Sequence, residues 1–82
     1  MLETHDLPID TVRVPVKRQK TLEPSRVEAL AEDILENGQT TPIRVRRDEK
    51  GYVLLEGLHR LEALKALGEE TVRANIARPR QH

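Results

Sequence analysis

The sequence predicts a small α+β domain in which strands and helices follow one another in the order β-α-β-β-α-β, with the strands joined in a mixed sheet. Three observations support this prediction. Apolar residues alternate with polar ones in some segments and recur at helical spacing in others. Glycine or proline stands at the boundaries between these segments. The 82 residues suffice for a single domain, residues 1–82, with one modest core.

The first predicted element is a strand around Val12, Val14 and Val16, which alternate with polar residues and a proline. Because proline has no N–H for a sheet, Pro15 indicates that this strand ends at an edge of the sheet. A polar loop over residues 17–21 is expected to follow.

The first helix is predicted to begin at Pro24, because the fixed φ of proline suits the first helical position. Its acidic residues lie on one face, and Gly38 is expected to end it in the left-handed conformation. The apolar residues at helical spacing, which we expect to face the core, are Val27, Leu30, Ala31, Ile34 and Leu35.

A hairpin is predicted next. Ile43 and Val45 alternate with arginines after Pro42, and residues 48–51 have the composition of a turn. The following segment, Tyr52–Leu55, is apolar without interruption, which predicts a strand that is buried on both faces at the centre of the sheet.

The second helix and the last strand complete the domain. The helix is expected to end at Gly68, and the strand contains alternating Val72, Ala74 and Ile76. We expect the tail, residues 78–82, to fray. The apolar residues of this helix are Leu61, Ala63, Leu64, Ala66 and Leu67.

Composition excludes several classes of function. The chain has 14 basic and 14 acidic residues, so no overall field attracts it to DNA or to a membrane. It has no cysteine, which removes thiolate metal sites and thiol nucleophiles. Tyr52 is its one aromatic residue, so stacking platforms for single-stranded nucleic acid are missing. The sequence shows no signal peptide or long apolar run, and we expect a cytoplasmic protein without a membrane partner.

The turn between the predicted buried strand and the second helix has the composition of an anion site. A helix N-terminus leaves N–H groups unpaired and carries partial positive charge. Gly57 would let this backbone approach an anion. His59 and Arg60 are electrostatically unfavourable at this end unless an anion is bound. A purely structural alternative remains open, in which Gly57 makes a tight turn and Arg60 pairs with Glu56 or Glu62.

Four stretches of the chain together resemble sulfiredoxins and the N-terminal domain of ParB partition proteins. These stretches are residues 22–30, 41–45, 57–60 and 70–74. At residues 57–60 sulfiredoxins have G-C-H-R and ParB domains G-E-R-R, and in both families this turn holds nucleotide phosphates. The resemblance therefore implies a nucleoside triphosphate, ATP or CTP, with Mg²⁺. We expect no metal site of the protein's own. The implied phosphate-binding residues of the turn are Gly57, Leu58, His59 and Arg60.

Two further phosphate contacts are implied by the resemblance. A basic residue early in the first helix of sulfiredoxins corresponds to Arg26, and the arginine of the ParB N-P-x-Q-P-R segment corresponds to Arg18. The alternative for both is a solvated basic surface. The serine and threonine that follow in sulfiredoxins correspond to Ala29 and Asp33, so those hydroxyl contacts are lost.

The chain departs from each family at one important point. Leu58 stands where sulfiredoxins have the catalytic cysteine, so repair of a sulfinic acid is not available to it. In ParB proteins a DNA-reading helix-turn-helix domain and a dimerisation segment follow this domain, and the sequence shows no such element. Binding to DNA, or to a DNA-binding protein, is therefore expected to be weak.

Three functions follow as hypotheses. The first is a nucleotide-binding domain, in a DNA-partition or regulatory system. The second is a non-catalytic adaptor that uses the same fold to bind protein or DNA. The third is a small ATP-dependent phosphotransferase, for which Glu56 and Asp33 are the candidate catalytic carboxylates. Oligomeric state and catalytic activity remain open at this point.

Overall fold

A computed structural model describes residues 4–78, which form a five-stranded mixed sheet and three α-helices. The strands are β1 (Thr4–Pro8), β2 (Val12–Arg13), β3 (Ile43–Asp48), β4 (Gly51–Glu56) and β5 (Thr71–Ala77). The helices are α1 (Val16–Gln19), α2 (Pro24–Asn37) and α3 (Leu58–Ala66), and a 3₁₀ turn covers Ile9–Thr11. Of the tail that was expected to fray, residues 79–82 lie outside the described residues.

The strand order in the sheet is β1-β5-β3-β4-β2. The pairs β1–β5 and β3–β4 are antiparallel, whereas β3–β5 and β2–β4 are parallel. This arrangement confirms the predicted α+β class with a mixed sheet. No helix within residues 4–78 is long and apolar enough to span a membrane.

The core lies between one face of the sheet and the two longer helices. Val45 of β3 and Ala74 of β5 are completely inaccessible, and so is Leu61 of α3. From α2 only Ile34 is buried, while Val27, Leu30 and Ala31 pack against the core and stay half-exposed. Leu35, which was predicted to face the core, is 76% exposed. That prediction was wrong because the apolar stripe of α2 is narrower than the spacing suggested.

The first predicted strand is much shorter than expected. It consists of two residues, Val12–Arg13, and Val16 begins α1 with 69% of its surface exposed. Pro15 cannot donate to the sheet and becomes the N-cap of α1 instead. Residues 17–19, which were predicted to be loop, are helical, since the N–H of Gln19 bonds to the carbonyl of Pro15 at 3.2 Å.

The sheet has one strand more than predicted. β1 was missed because Leu7 is its one buried residue, so the segment lacks the alternation of a typical strand. It is held by antiparallel pairing with β5, in which Leu7 lies opposite Val72.

β3, not β4, is the central strand, and the prediction that β4 is buried on both faces was wrong. Leu54 is 1% exposed and lies opposite Val45 on the helix-covered side. Val53 and Leu55 have the opposite orientation and remain half-exposed. An uninterrupted apolar run therefore overstated the burial of this strand.

Candidate functional site

The turn between β4 and α3 is fixed by packing on both of its sides. Gly57 has a φ of 105°, which L-residues with a side chain rarely adopt. A Cβ at this position would lie 2.6 Å from Cγ2 of Ile43 and 3.2 Å from its Cα. Leu58, the next residue, is 5% exposed and belongs to the core. The fold thus requires Gly57 whether or not a ligand binds, and Leu58 can offer a ligand only its backbone.

A cleft of about 670 Å³ opens beside the first turn of α3. Its walls also include residues from α1, from the loop that follows α1 and from the first half of α2. Every residue that was expected to bind phosphate lines this cleft: Arg18, Arg26, Gly57, Leu58, His59 and Arg60. The expectation from the sequence missed one charged residue of the lining, Glu23, which is the N-cap of α2.

The three arginines of the cleft differ in their partners. Arg18 Nη2 donates a hydrogen bond to the carbonyl oxygen of Leu55 at the end of β4. Arg26 Nη1 lies 3.5 Å from Glu23 Oε2, and both side chains are about three-fifths exposed, at 63% and 60%. Arg60 has no side-chain hydrogen bond or ion pair to any of residues 4–78.

The structural alternative for Arg60 is not realised within residues 4–78. Glu56 lies 3.7 Å from Arg44, and Glu62 lies 3.1 Å from Lys65. Both carboxylates that could have neutralised Arg60 are therefore paired with other cations. A cation without an acidic partner in the first turn of a helix leaves the local electrostatics unfavourable.

His59 connects the two helices that form the cleft. Its Nε2 accepts a hydrogen bond from the backbone N–H of Glu23 at 3.0 Å. This nitrogen therefore carries no proton, and in the neutral ring the proton is on Nδ1. The bond ties the start of α3 to the start of α2, a role that the sequence did not indicate because the two residues are far apart along the chain.

The two candidate catalytic carboxylates lie outside the cleft lining. Glu56 is 66% exposed beside Arg44 in the sheet, and Asp33 accepts a hydrogen bond from Asn37 Nδ2 at 2.9 Å. Among residues 4–78 no group of three or more His, Cys, Asp or Glu side chains is arranged to hold a metal ion.

Comparison of the sequence with protein families and curated proteins gives consistent matches. A family model described as the ParB N-terminal domain matches residues 1–82. The chloroplastic/mitochondrial sulfiredoxin of Arabidopsis thaliana is 32% identical over 71 residues, which are 87% of this chain and 57% of that protein. The nucleoid occlusion protein of Halalkalibacterium halodurans is 40% identical over 76 residues, which are 90% of this chain and 26% of that protein. The chain thus spans only part of each relative.

Solved structures give the same fold. The crystal structure of sulfiredoxin from Arabidopsis thaliana matches with a TM-score of 0.84 at 30% identity and covers 94% of this chain and 86% of that one. The chromosome-partitioning protein ParB from Caulobacter crescentus, complexed with CTP-gamma-S, matches with a TM-score of 0.81 at 24% identity. The match covers 96% of this chain and 46% of that one. A free serine kinase in complex with AMP matches with a TM-score of 0.80 at 20% identity, covering 93% and 31%.

Proposed function

We propose that this chain, which belongs to the ParB N-terminal domain family, binds the phosphates of a nucleoside triphosphate, ATP or CTP, together with Mg²⁺. The observation that carries the proposal is the position of three arginines, Arg18, Arg26 and Arg60, around the N-terminus of α3 in one cleft. A family member crystallised with a CTP analogue and a kinase of the same fold crystallised with AMP support a nucleotide as the ligand.

The backbone of α3 would provide the centre of the site. The first N–H groups of a helix have no intrahelical acceptor and attract anions. Packing of Gly57 on Ile43 and burial of Leu58 hold this turn in place, so the N–H groups would not have to be ordered on binding. Arg60 would gain the anionic partner that it lacks within residues 4–78 and could bind phosphate through two parallel hydrogen bonds.

Mg²⁺ would be held mainly by the phosphates. Within the described part of the chain, Glu23 is the single carboxylate of the cleft lining. One carboxylate is sufficient, because proteins usually hold Mg²⁺ through one or two carboxylates together with water and substrate phosphates. When bound, the ion would neutralise part of the triphosphate charge.

We favour binding without covalent chemistry. The chain has no cysteine, so the sulfiredoxin reaction has no nucleophile. Glu56 and Asp33 lie outside the cleft lining, which favours nucleotide binding over phosphoryl transfer. The similarity to a nucleoid occlusion protein supports a role in DNA partition or its regulation, in which the nucleotide would act as a binding signal.

DNA is the second partner we propose, with weak binding that does not depend on sequence. The β3–β4 hairpin carries exposed Arg46, Arg47 and Lys50, which could contact a phosphate backbone. The hairpin also carries acidic residues, so its net charge is small. Retention of duplex DNA that falls steeply with salt and is equal for unrelated sequences would support this partner.

Isothermal titration calorimetry of the purified chain with Mg·CTP and Mg·ATP measures the affinity of the proposed nucleotide site. Arg60→Ala is expected to weaken binding at least about tenfold, because it removes a charge-assisted hydrogen bond. Arg46→Ala, which removes an exposed arginine outside the cleft, is the matched control and should bind as the unaltered chain does. Equal affinities of the two variants, or no binding by the unaltered chain, would contradict the proposal.

A further inference from the structure

We propose that Glu23 makes phosphate binding in this cleft dependent on Mg²⁺. Without the metal, its carboxylate competes with phosphate for Arg26. When Mg²⁺ accompanies the phosphates, the same carboxylate becomes a ligand of the ion. The inference rests on the proposed function and concerns a residue to which the family resemblance assigns no role.

The first step is the contact between Glu23 and Arg26. Their charged ends are 3.5 Å apart, at the rim of the cleft that would receive the phosphates. A phosphate that binds Arg26 must either displace the Glu23 carboxylate or bind close to its negative charge. Among residues 4–78, Glu23 is the one negatively charged side chain that lines the cleft, so competition for the arginines comes from this side chain.

The second step is that the backbone of Glu23 is held in place. Its N–H donates to His59 Nε2 at 3.0 Å, and its carbonyl accepts from the N–H groups of Arg26 and Val27 at 3.0 and 3.2 Å. Pro24 follows and limits rotation at this point. The carboxylate can therefore turn away from Arg26, but its charge stays at the rim of the cleft.

The third step is that the side chain is not required as a helix cap. Glu23 is the N-cap residue of α2, yet its carboxylate makes no capping hydrogen bond. The side chain is 60% exposed. Rotation of the carboxylate toward a bound ion would therefore break no helix cap and expose little buried surface. The geometry therefore leaves the carboxylate free to exchange Arg26 for a metal.

Whether Glu23 weakens or strengthens nucleotide binding depends on the presence of Mg²⁺. A carboxylate at the cleft rim repels a metal-free triphosphate, and at this exposed position we expect a loss of affinity of about tenfold. When Mg²⁺ lies between the phosphates and Glu23, the carboxylate coordinates the ion and no longer simply repels the phosphates. Mg²⁺ prefers oxygen ligands and is usually held by one or two carboxylates together with phosphates and water. One carboxylate alone is too few ligands for Mg²⁺, so metal and nucleotide should bind together.

The experiment compares the unaltered chain with Glu23→Gln and Glu28→Gln in titrations with CTP and ATP, each in excess Mg²⁺ or in EDTA. Glutamine keeps the size of the side chain and leaves the backbone bond to His59 intact. Glu28 is exposed on the same helix but outside the cleft lining, so its substitution controls for loss of one negative charge.

We expect the unaltered chain and Glu28→Gln to bind at least about tenfold more weakly in EDTA than in Mg²⁺. Glu23→Gln should bind the metal-free nucleotide about tenfold more tightly than the unaltered chain and show a Mg²⁺ effect of about twofold or less. The same Mg²⁺ effect in Glu23→Gln and in the unaltered chain would overturn the inference and leave the proposed nucleotide site standing. Absence of binding by all three chains in both conditions would overturn the proposed function and this inference with it.

Discussion

The two longer helices pack against each other but contribute differently to the molecule. α3 buries four of its nine residues, Leu58, Leu61, Ala63 and Leu64, whereas α2 buries one of fourteen, Ile34. The turn whose backbone N–H groups we propose as phosphate donors thus belongs to the helix that the core holds most firmly. The charged residues that could adjust to a ligand are Arg26 in the first turns of the peripheral helix and Glu23, its N-cap.

Because of this difference, α3 can supply a rigid backbone for binding, whereas α2 and its N-cap supply charged side chains that can move. Preorganised donors bind an anion without an ordering cost, which requires a rigid backbone. Exposed charged side chains, by contrast, contribute little to the free energy of unfolding and can exchange partners. The structure links the two parts through the hydrogen bond between His59 and Glu23. Substitutions in the two helices should therefore affect stability and binding to different degrees.

The largest difference is expected between one leucine in each helix. Leu61→Ala in α3 removes a side chain that is 0% exposed and should lower the free energy of unfolding by about 3 kcal/mol. Leu35→Ala in α2 removes a side chain that is 76% exposed and should change it by less than about 0.5 kcal/mol. Urea denaturation followed by circular dichroism measures both. Similar losses in the two variants would show that α2 is packed as tightly as α3.

The next largest effect concerns the glycines that precede α3 and follow α2. Gly57→Ala combines a φ of 105° with a contact of 2.6 Å to Ile43 and should lower the free energy of unfolding by about 3 kcal/mol. Gly38→Ala has a φ of 75° but meets no atom within 4 Å, so a loss of about 1 kcal/mol is expected. Thermal and urea unfolding of the two variants provide the comparison. A larger loss for Gly38→Ala would contradict the account of the turn.

Substitution of Gln39, which lies just after α2, is expected to have a smaller effect on the free energy of unfolding. Its side-chain amide accepts from the N–H of Arg73 at 2.8 Å and donates to the carbonyl of the same residue at 2.9 Å, so it continues the β3–β5 ladder. Gln39→Ala should lower the free energy of unfolding by about 1–2 kcal/mol, since the N–H and carbonyl of Arg73 and the carbonyl of Thr41 lose this partner. Glu36→Ala, on the exposed face of α2, is the control and should change it by less than about 0.5 kcal/mol.

The smallest expected effect on stability comes from the bond that joins the helices. His59→Ala should lower the free energy of unfolding by about 1 kcal/mol because the N–H of Glu23 loses its acceptor. Arg60→Ala should change it by less than about 0.5 kcal/mol, because this side chain has no partner within residues 4–78. Urea denaturation would compare the two. A larger loss for Arg60→Ala would assign Arg60 a structural role that the described contacts do not show.

Elements with local signals were predicted well. Pro24 begins α2 and Gly38 follows its last residue, as the sequence indicated. Ile43 and Val45 are buried, and the turn between β3 and β4 lies where its composition placed it. These features depend on backbone preferences and on alternation within a few residues, both of which can be recognised without knowledge of the fold.

Elements without such signals were missed or misjudged. β1 has one buried residue and exists because β5 offers an edge for pairing. The burial of β4 depends on its neighbours in the sheet, and β2 pairs with only Tyr52 and Val53 of this strand. Leu35 fitted the helical spacing of the apolar residues, but it lies outside the face of α2 that packs on the core and is 76% exposed. Burial is a property of the assembled layers, so local spacing predicts it incompletely.

The sequence by itself determined the helix start at residues 57–60 and its unpaired N–H groups, because a glycine before a helix and the orphan donors at its start are local properties. Only the tertiary structure decided which side chains meet there. It brings Arg18 and Arg26 to the same cleft, and it pairs Arg26 with Glu23 and Glu23 with His59. These contacts join residues on three helices, and their formation depends on how the helices pack on the sheet.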